Sequence, residues 1–245
     1  MGGLSTELYE KIKEDAAPVR LEVNGRTYTS KCIEPVYEPY IDPLRVRTLT
    51  GLVDYLKNNQ DKLVISELIC QIHDPRTVSV FSPLSGDFKQ RDRYVVAEVK
   101  KELFLFGRFL DGEEFNIKLQ ACFVDTPVIV DSELRPTDKR LILKYVGNIK
   151  EGVVKETGDD GVSQSVTIKT GIARVEEAVL PNPVVLRPYR TFNEVEQPAS
   201  PFIFRAKDGP QFALFEADNG AWESEAMKSI KEFLEREVEG LNVIA

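Results

Sequence analysis

The chain contains a single histidine, His73, among 245 residues. A Ser-His-Asp or Cys-His catalyst would have to use this residue, and the usual histidine-rich metal sites are excluded. His73 ends an apolar segment directly before Asp74 and Pro75, a position typical of a strand-end side chain before a turn. We therefore expect His73 to be dispensable for function.

Cysteine is also scarce, with Cys32, Cys70 and Cys122 far apart and odd in number. Such spacing fits neither a disulfide framework nor a zinc site built from close ligand pairs. It favours buried thiols in a reducing compartment.

Motifs that hold phosphates, dinucleotides or zinc are missing: the sequence contains no GxxxxGKS/T, GxGxxG, HExxH or paired CxxC. The stretch ETGDDG, with Glu156, Asp159 and Asp160, is the nearest candidate for an all-carboxylate magnesium or calcium site. A tight turn explains the same residues. No spacing among the 40 acidic residues selects a catalytic pair. We predict no catalytic residue, no metal ligand and no cofactor.

Long apolar runs are absent, since none approaches the ~18 residues of a membrane span, and the N-terminus lacks the layout of a signal peptide. The sequence therefore predicts no membrane partner. A hydrophobic content of 42% and a charged content of 29% are typical of a soluble globular protein with a real core.

Positive charge is in deficit overall, with a net charge of −8, but its distribution is uneven. Residues 135–207 hold 12 basic and 9 acidic side chains, whereas residues 1–134 hold 17 and 22 and residues 208–245 hold 3 and 9. The overall charge argues against a sequence-blind nucleic-acid binder. An anionic ligand would be drawn to the block 135–207 if anywhere.

The first region, residues 1–150, has the patterns of a mixed structure. Apolar residues at helical spacing behind capping residues predict helices near 5–15, 48–58, 111–123 and 136–148. Strand-like segments predict a hairpin at Asn24-Gly25 and an antiparallel meander formed by residues 62–74, 77–82 and 93–101. Three prolines between residues 34 and 43 predict an extended connector.

The second region, residues 151–245, is predicted to be rich in β-strands. Hairpin turns are predicted at Asp160-Gly161 and at Asp208-Gly209-Pro210. An apolar stripe predicts an amphipathic helix at about 220–240, capped by Asp218 or Asn219. Helices and strands follow one another without a βαβ repeat, so the predicted fold class is α+β, with a mixed N-terminal two-thirds and a β-rich C-terminal section closed by this helix.

Aromatic and guanidinium groups are concentrated in residues 186–222, as expected at a binding surface. The alternation around Phe202, Phe204 and Phe212 is nevertheless typical of buried strands, and Trp222 begins the last helix. These aromatic residues are therefore predicted to form core. The candidates for an exposed contact with an anionic ligand are Arg187, Tyr189, Arg190 and Arg205, because guanidinium pairs with phosphate and stacks on rings.

Several phrases between residues 45 and 235 carry a resemblance to a known family. TLTGLVDYL, FGRFLDGEEF, YVGNIKEGVVKETGDDGVSQSVTIKTGIA, LRPYRTFNEVEQPASPFIFR and ALFEADNGAW resemble the YfdQ-like family of bacteriophage and prophage proteins. The resemblance implies a phage origin, the bacterial host cytoplasm and a role in phage DNA metabolism or host takeover. It supplies no catalytic residues.

Three hypotheses about function remain open. The first is a phage-encoded, non-enzymatic accessory protein that acts by binding, as a homo-oligomer or with a host or phage protein partner. The second is a protein that binds or sequesters a nucleic acid or nucleotide with the basic block 135–207. The third is an enzyme with an unrecognised carboxylate site.

Overall fold

The computed structural model describes residues 6–17, 20–23, 26–29, 41–86, 89–100, 104–125, 128–130, 133–135, 138–149, 153–159, 164–170, 174–179, 182–207 and 211–245. The chain forms two compact units, Met1–Tyr40 and Ile41–Ala245. Helices and mixed sheets together make the fold α+β, which confirms the predicted class. Among the described residues, no helix has both the length and the hydrophobicity to cross a membrane.

The first unit contains a helix and a hairpin. Helix α1 spans Thr6–Ala16, and strands β1 (Arg20–Val23) and β2 (Arg26–Thr29) pair antiparallel with Val23 opposite Arg26. This pairing agrees with the hairpin predicted around Asn24-Gly25, although those two residues lie outside the described ranges. Most of the predicted connector, residues 34–40, also lies outside them.

The second unit holds the remaining elements. Its described helices are α2 (Leu49–Asn58), α3 (Gly112–Cys122), α4 (Lys139–Ile149) and α5 (Ala221–Glu237). Its described strands are β3 (Leu44–Val46), β4 (Ile69–Asp74), β5 (Thr77–Phe81), β6 (Arg93–Glu98), β7 (Leu110–Asp111), β8 (Val128–Val130), β9 (Glu133–Arg135), β10 (Val153–Asp159), β11 (Gln164–Thr170), β12 (Arg174–Val179), β13 (Val184–Leu186), β14 (Ser200–Lys207), β15 (Gln211–Glu216) and β16 (Asn242–Ile244).

A five-stranded sheet in the order β16-β4-β5-β6-β3 is built around the predicted meander. Strands β4, β5 and β6 pair antiparallel, which confirms the meander, while β16 and β3 add parallel strands at its two edges. Helices α2 and α5 bury Leu49, Leu52, Ile230 and Leu234 against one face. We call this cluster the five-stranded core.

Helix α2 begins and ends where its sequence directs. Thr48 is the N-cap, and its Oγ1 accepts a hydrogen bond from the backbone N–H of Gly51 at 3.0 Å. At the other end Asn59 takes the left-handed conformation with φ of 43°, and its backbone N–H donates to the carbonyl of Tyr55. Asparagine tolerates this conformation better than most residues, so a capping hydrogen bond forms at each end of the helix.

A four-stranded sheet in the order β13-β14-β15-β7 forms the second layer of structure. Phe115 from α3 and Ile142 from α4 pack with Phe204 and Phe212 of the sheet, all fully buried, in what we call the four-stranded core. Asp111 caps α3, because its Oδ1 accepts from the backbone N–H groups of Glu113 and Glu114. Strands β14 and β15 of this sheet form the hairpin predicted around residues 208–210, and those three residues lie outside the described ranges.

The remaining pairs are the three-stranded sheet β10-β11-β12 and the two-stranded sheet β8-β9, all antiparallel. The hairpin predicted around Asp160-Gly161 is therefore present as β10 and β11. Its predicted turn at Asp160-Gly161 falls outside the described residues.

Helix α5 confirms the amphipathic C-terminal helix, but the predicted cap is wrong. The N-cap is Gly220, which has a φ of +79° and no side-chain capping bond. Asp218 instead accepts hydrogen bonds from Ser200 Oγ at 2.6 Å and from the backbone N–H of Gly220. A positive φ suits glycine, so the chain enters the helix through a residue that other types would strain.

Each core contains residues from both sides of residue 150, the predicted boundary between the two regions. The five-stranded core joins α2 to α5, and the four-stranded core joins α3 to β14. In the described structure, residues from the regions 1–150 and 151–245 thus share both cores.

Candidate ligand pocket

A cavity of about 120 Å³ opens beside the four-stranded core, and its other walls come from the β4–β5 turn and α5, two elements whose neighbouring residues form the five-stranded core. Its lining combines aromatic rings with three charged side chains: Arg76, Phe104, Phe106, Pro188, Tyr189, Arg190, Glu216 and Trp222. Arg76 lies in the turn between β4 and β5, Glu216 ends β15, and Trp222 stands in the first turn of α5. A concave, mainly apolar site with a few polar groups has the composition of a small-molecule site.

The aromatic wall of the pocket is continuous with the four-stranded core. The rings of Phe104 and Phe106 lie 5.2 Å apart, and Phe106 stacks on Phe202 at 5.0 Å. Phe104 also meets Phe123 edge to face at 5.1 Å. Because these rings contact buried neighbours, the wall is held in place by the core and is preformed.

Arg190 forms the polar wall and is only 4% exposed. Its guanidinium lies 4.0 Å from the centre of the Trp222 ring, and its Nη1 donates to Glu216 Oε1 at 2.9 Å. Nη2 donates to Ser200 Oγ, and Ser200 in turn donates to Asp218. Nε, although buried, has no hydrogen-bond partner among the described residues. Burial lowers the pKa of Arg190, while Glu216 and Asp218 act in the opposite direction.

Residues 187–199, which we call the crossing segment, hold Tyr189 and Arg190 in the pocket. The segment connects β13 to β14 without regular structure and contributes Phe192 and Val195 to the five-stranded core. The backbone N–H of Tyr189 donates to the carbonyl of Cys122 at 2.8 Å, which fixes the segment to the end of α3. The segment thus touches both cores.

Gln197 organises the crossing segment from inside. Its side-chain oxygen accepts from the backbone N–H groups of Arg190 and Thr191, and its side-chain nitrogen donates to the carbonyl of Phe192 at 2.8 Å. At the far side of the loop, Glu194 Oε1 accepts from the backbone N–H of Thr50 at the start of α2 at 3.0 Å. Side chains therefore replace the strand ladder in satisfying the buried backbone.

The four residues predicted to contact a ligand divide between two environments. Tyr189 and Arg190 line the pocket, whereas Arg187 and Arg205 do not. Arg187 Nε donates to the carbonyl of Gln197 at 2.8 Å and its Nη2 pairs with Glu196, while Arg205 Nη1 donates to the carbonyl of Phe204 at 3.3 Å.

The predicted exposure was wrong for Arg187 and Arg190, which are 7% and 4% exposed. Charged residues are seldom fully buried unless they are paired, and here each guanidinium has a carboxylate partner. The prediction that the aromatic residues form core is confirmed, since Phe202, Phe204 and Phe212 are fully buried and Trp222 nearly so.

Sequence reasoning missed Arg76, Phe104 and Phe106 entirely. They lie more than eighty residues before the crossing segment, and nothing in their local pattern connects them to it. Glu216 and Trp222 fell within the stretch 186–222, so the density of aromatic and charged groups there was the one usable signal.

The thiol and carboxylate groups considered in the sequence analysis do not form a reactive or metal-binding site among the described residues. Burial raises the pKa of Cys70 to about 12, so its thiol is protonated at neutral pH and is not a nucleophile. Glu156 and Asp159 of the predicted carboxylate site lie in β10, and Asp160 is outside the described residues. Among the described residues, no three His, Cys, Asp or Glu side chains come together as a metal site.

His73 is exposed at the end of β4, and its ring meets Phe81 edge to face at 6.0 Å. Desolvation by its neighbours, followed by the charge of Arg93, lowers the pKa of His73. It does not line the pocket.

We expect His73→Gln to leave both the melting temperature and ligand binding near wild type, because an exposed surface substitution changes stability by about 0.5 kcal/mol or less. Thermal denaturation followed by circular dichroism measures the melting temperature. A folded variant that had lost binding would show that His73 contributes to the site after all.

Comparisons with protein-family models, with curated proteins and with solved structures found no match for this chain.

Proposed function

We propose that the protein is a non-enzymatic binding protein and that the pocket between its two cores is its ligand site. The observation that carries the proposal is the convergence of Phe106, Trp222 and the buried Arg190 on one small cavity. These groups come from three separate parts of the chain. Ligand sites in proteins are typically cavities lined by aromatic side chains and a few polar groups.

The chemistry of the lining supports binding without catalysis. Its titratable side chains are two arginines, Tyr189 and Glu216. Glu216 is already paired with Arg190 at 2.9 Å, and the lining holds no thiol or imidazole. The lining therefore offers cationic and aromatic groups that could hold a ligand and supports binding better than thiol or imidazole chemistry.

The biological setting of the proposal comes from the sequence. The resemblance to the YfdQ-like family supports a phage-encoded accessory protein in the bacterial host cytoplasm, acting in phage DNA metabolism or host takeover. We propose that it acts as a homo-oligomer or with a host or phage protein, and that ligand binding between the cores serves that role.

The alternative of nucleic-acid binding by the basic block 135–207 has less support. Lys139, Arg187 and Arg190 of that block are buried, and their cationic groups already contact carbonyls or carboxylates. A cation that is engaged within the protein adds little to the neutralisation of a phosphate backbone.

Trp222 makes the proposal directly testable, because it is the only tryptophan of the chain and lines the pocket. We expect a small molecule to remain bound in native mass spectra of the purified protein. Removing that ligand and adding it back should change the tryptophan fluorescence, since the ligand alters the surroundings of the indole.

Two matched variants locate the binding site. Phe106 and Phe109 are both partly buried phenylalanines, but only Phe106 lines the pocket. Phe106→Ala should weaken binding at least about tenfold, which corresponds to roughly 1.4 kcal/mol, and Phe109→Ala should leave it unchanged. A purified protein with no bound molecule and a fluorescence that no ligand alters would overturn the proposed function.

A further inference from the structure

We infer that the pocket takes a planar six-membered ring that carries an anionic group. The inference rests on the proposed function and goes further by naming the chemistry of the ligand. Three properties of the lining support it: the volume of the cavity, the nature of its walls and the balance of its charges.

The volume limits the buried part of the ligand to one ring. The cavity measures about 120 Å³, and a protein cavity of about 150 Å³ lined by apolar side chains accommodates benzene. A fused double ring is too large for this space unless the walls move. The aromatic wall is attached to the four-stranded core through Phe123 and Phe202, so such movement would disturb the core.

The walls favour a flat ring. Phe104, Phe106 and Trp222 present aromatic surfaces, and the guanidinium of Arg190, itself planar, lies on the indole at 4.0 Å. Aromatic pairs in offset or edge-to-face contact gain about 0.5–1.5 kcal/mol beyond their buried area. A saturated ring of equal volume fills the cavity without this gain.

The charges leave one cation for the ligand. Arg190 is neutralised by Glu216 at 2.9 Å, with Asp218 behind Ser200. Arg76 is exposed at the pocket, and its guanidinium makes no ion pair with any described residue. Its backbone is fixed, because its N–H donates to Asp74 Oδ1 at 2.7 Å. An anionic substituent on the ring would therefore meet Arg76 at the mouth, and the ring would lie deeper.

Two sources share this chemistry: a small aromatic acid, and a pyrimidine nucleotide whose base enters the pocket while its phosphate stays outside. The experiment is a titration of the ligand-free protein, followed by Trp222 fluorescence, with benzoate, benzamide, cyclohexanecarboxylate, uridine 5′-monophosphate and inorganic phosphate. We expect benzoate or the nucleotide to bind at least about tenfold tighter than benzamide and cyclohexanecarboxylate. The tighter of the two identifies the source.

Arg76→Gln tests the role of the cation, and Arg45→Gln is its control, because Arg45 is also exposed but lies on the edge strand β3 outside the pocket. Arg76→Gln should abolish the preference of the pocket for the anion while benzamide binding stays the same, and Arg45→Gln should preserve it. Both variants should keep the wild-type melting temperature, since both side chains are exposed.

The outcomes of this titration distinguish a failure of the inference from a failure of the proposed function. If a neutral or saturated molecule binds the pocket and changes Trp222 fluorescence while benzoate and the nucleotide do not, the ligand class is wrong and the pocket remains a binding site. Inorganic phosphate binding as tightly as the tighter of benzoate and the nucleotide would also overturn the inference, because the ring would then contribute nothing. If none of the five molecules binds, this inference falls, whereas the proposed function falls only if the purified protein also carries no bound molecule.

Discussion

Phe204→Ala is expected to lower the free energy of unfolding by about 3–5 kcal/mol, the range measured for phenylalanine-to-alanine changes in cores. Phe204 is fully buried in β14, and its ring lies 5.8 Å from that of Phe115 and 5.9 Å from that of Phe212. The substitution removes apolar surface and leaves a cavity between α3 and the sheet. Urea denaturation followed by circular dichroism measures the loss, a large share of a typical stability of about 5–15 kcal/mol.

Phe215→Ala is the matched control for Phe204→Ala. Phe215 belongs to the neighbouring strand β15 but is only partly buried, and it meets Phe109 at 6.2 Å. We expect it to cost clearly less. Equal losses for the two variants would mean that burial in the four-stranded core does not set the energetic role of Phe204.

Arg190→Met is expected to lower the free energy of unfolding by about 2–3 kcal/mol. Methionine retains much of the buried volume, so the loss reports the hydrogen bonds to Glu216 and Ser200 and the contact with Trp222. The estimate lies at the low end for a broken buried pair, because the side chain of Glu216 is 39% exposed and can turn to water. Denaturation in urea again gives the value.

Arg205→Met separates this effect from the mere loss of an arginine. Arg205 lies on β14 and lines no part of the pocket. We expect a smaller loss than for Arg190→Met. An Arg190→Met protein as stable as wild type would indicate that the buried guanidinium serves the ligand alone and not the fold.

Local patterns predicted the elements whose stability is local. Helix α2 was predicted at 48–58 and lies at Leu49–Asn58, because its cap and its apolar stripe are contained in the element itself. The meander followed from three β-branched runs separated by turn residues. Strands β3 and β16 were missed, since each has only three residues and is stabilised by parallel pairing with a partner distant in sequence.

The pocket was only half predictable for the same reason. Tyr189 and Arg190 were found because aromatic and guanidinium groups are dense around them. Arg76 and Phe106 join them through the tertiary structure, which no local spacing encodes. The burial of Arg187 and Arg190 could not be predicted either, because it depends on their ion pairs with Glu196 and Glu216.

The position of β16 at the edge of the five-stranded sheet sets an order of events during protein synthesis. Strands β4, β5 and β6 leave the ribosome long before α5 and β16. Helix α2, which covers part of their apolar face, is made before them, but at the ~5–20 residues per second of translation α5 and β16 follow roughly 7–30 seconds later. The nascent second unit therefore exposes part of this apolar face until α5 and β16 have been synthesised.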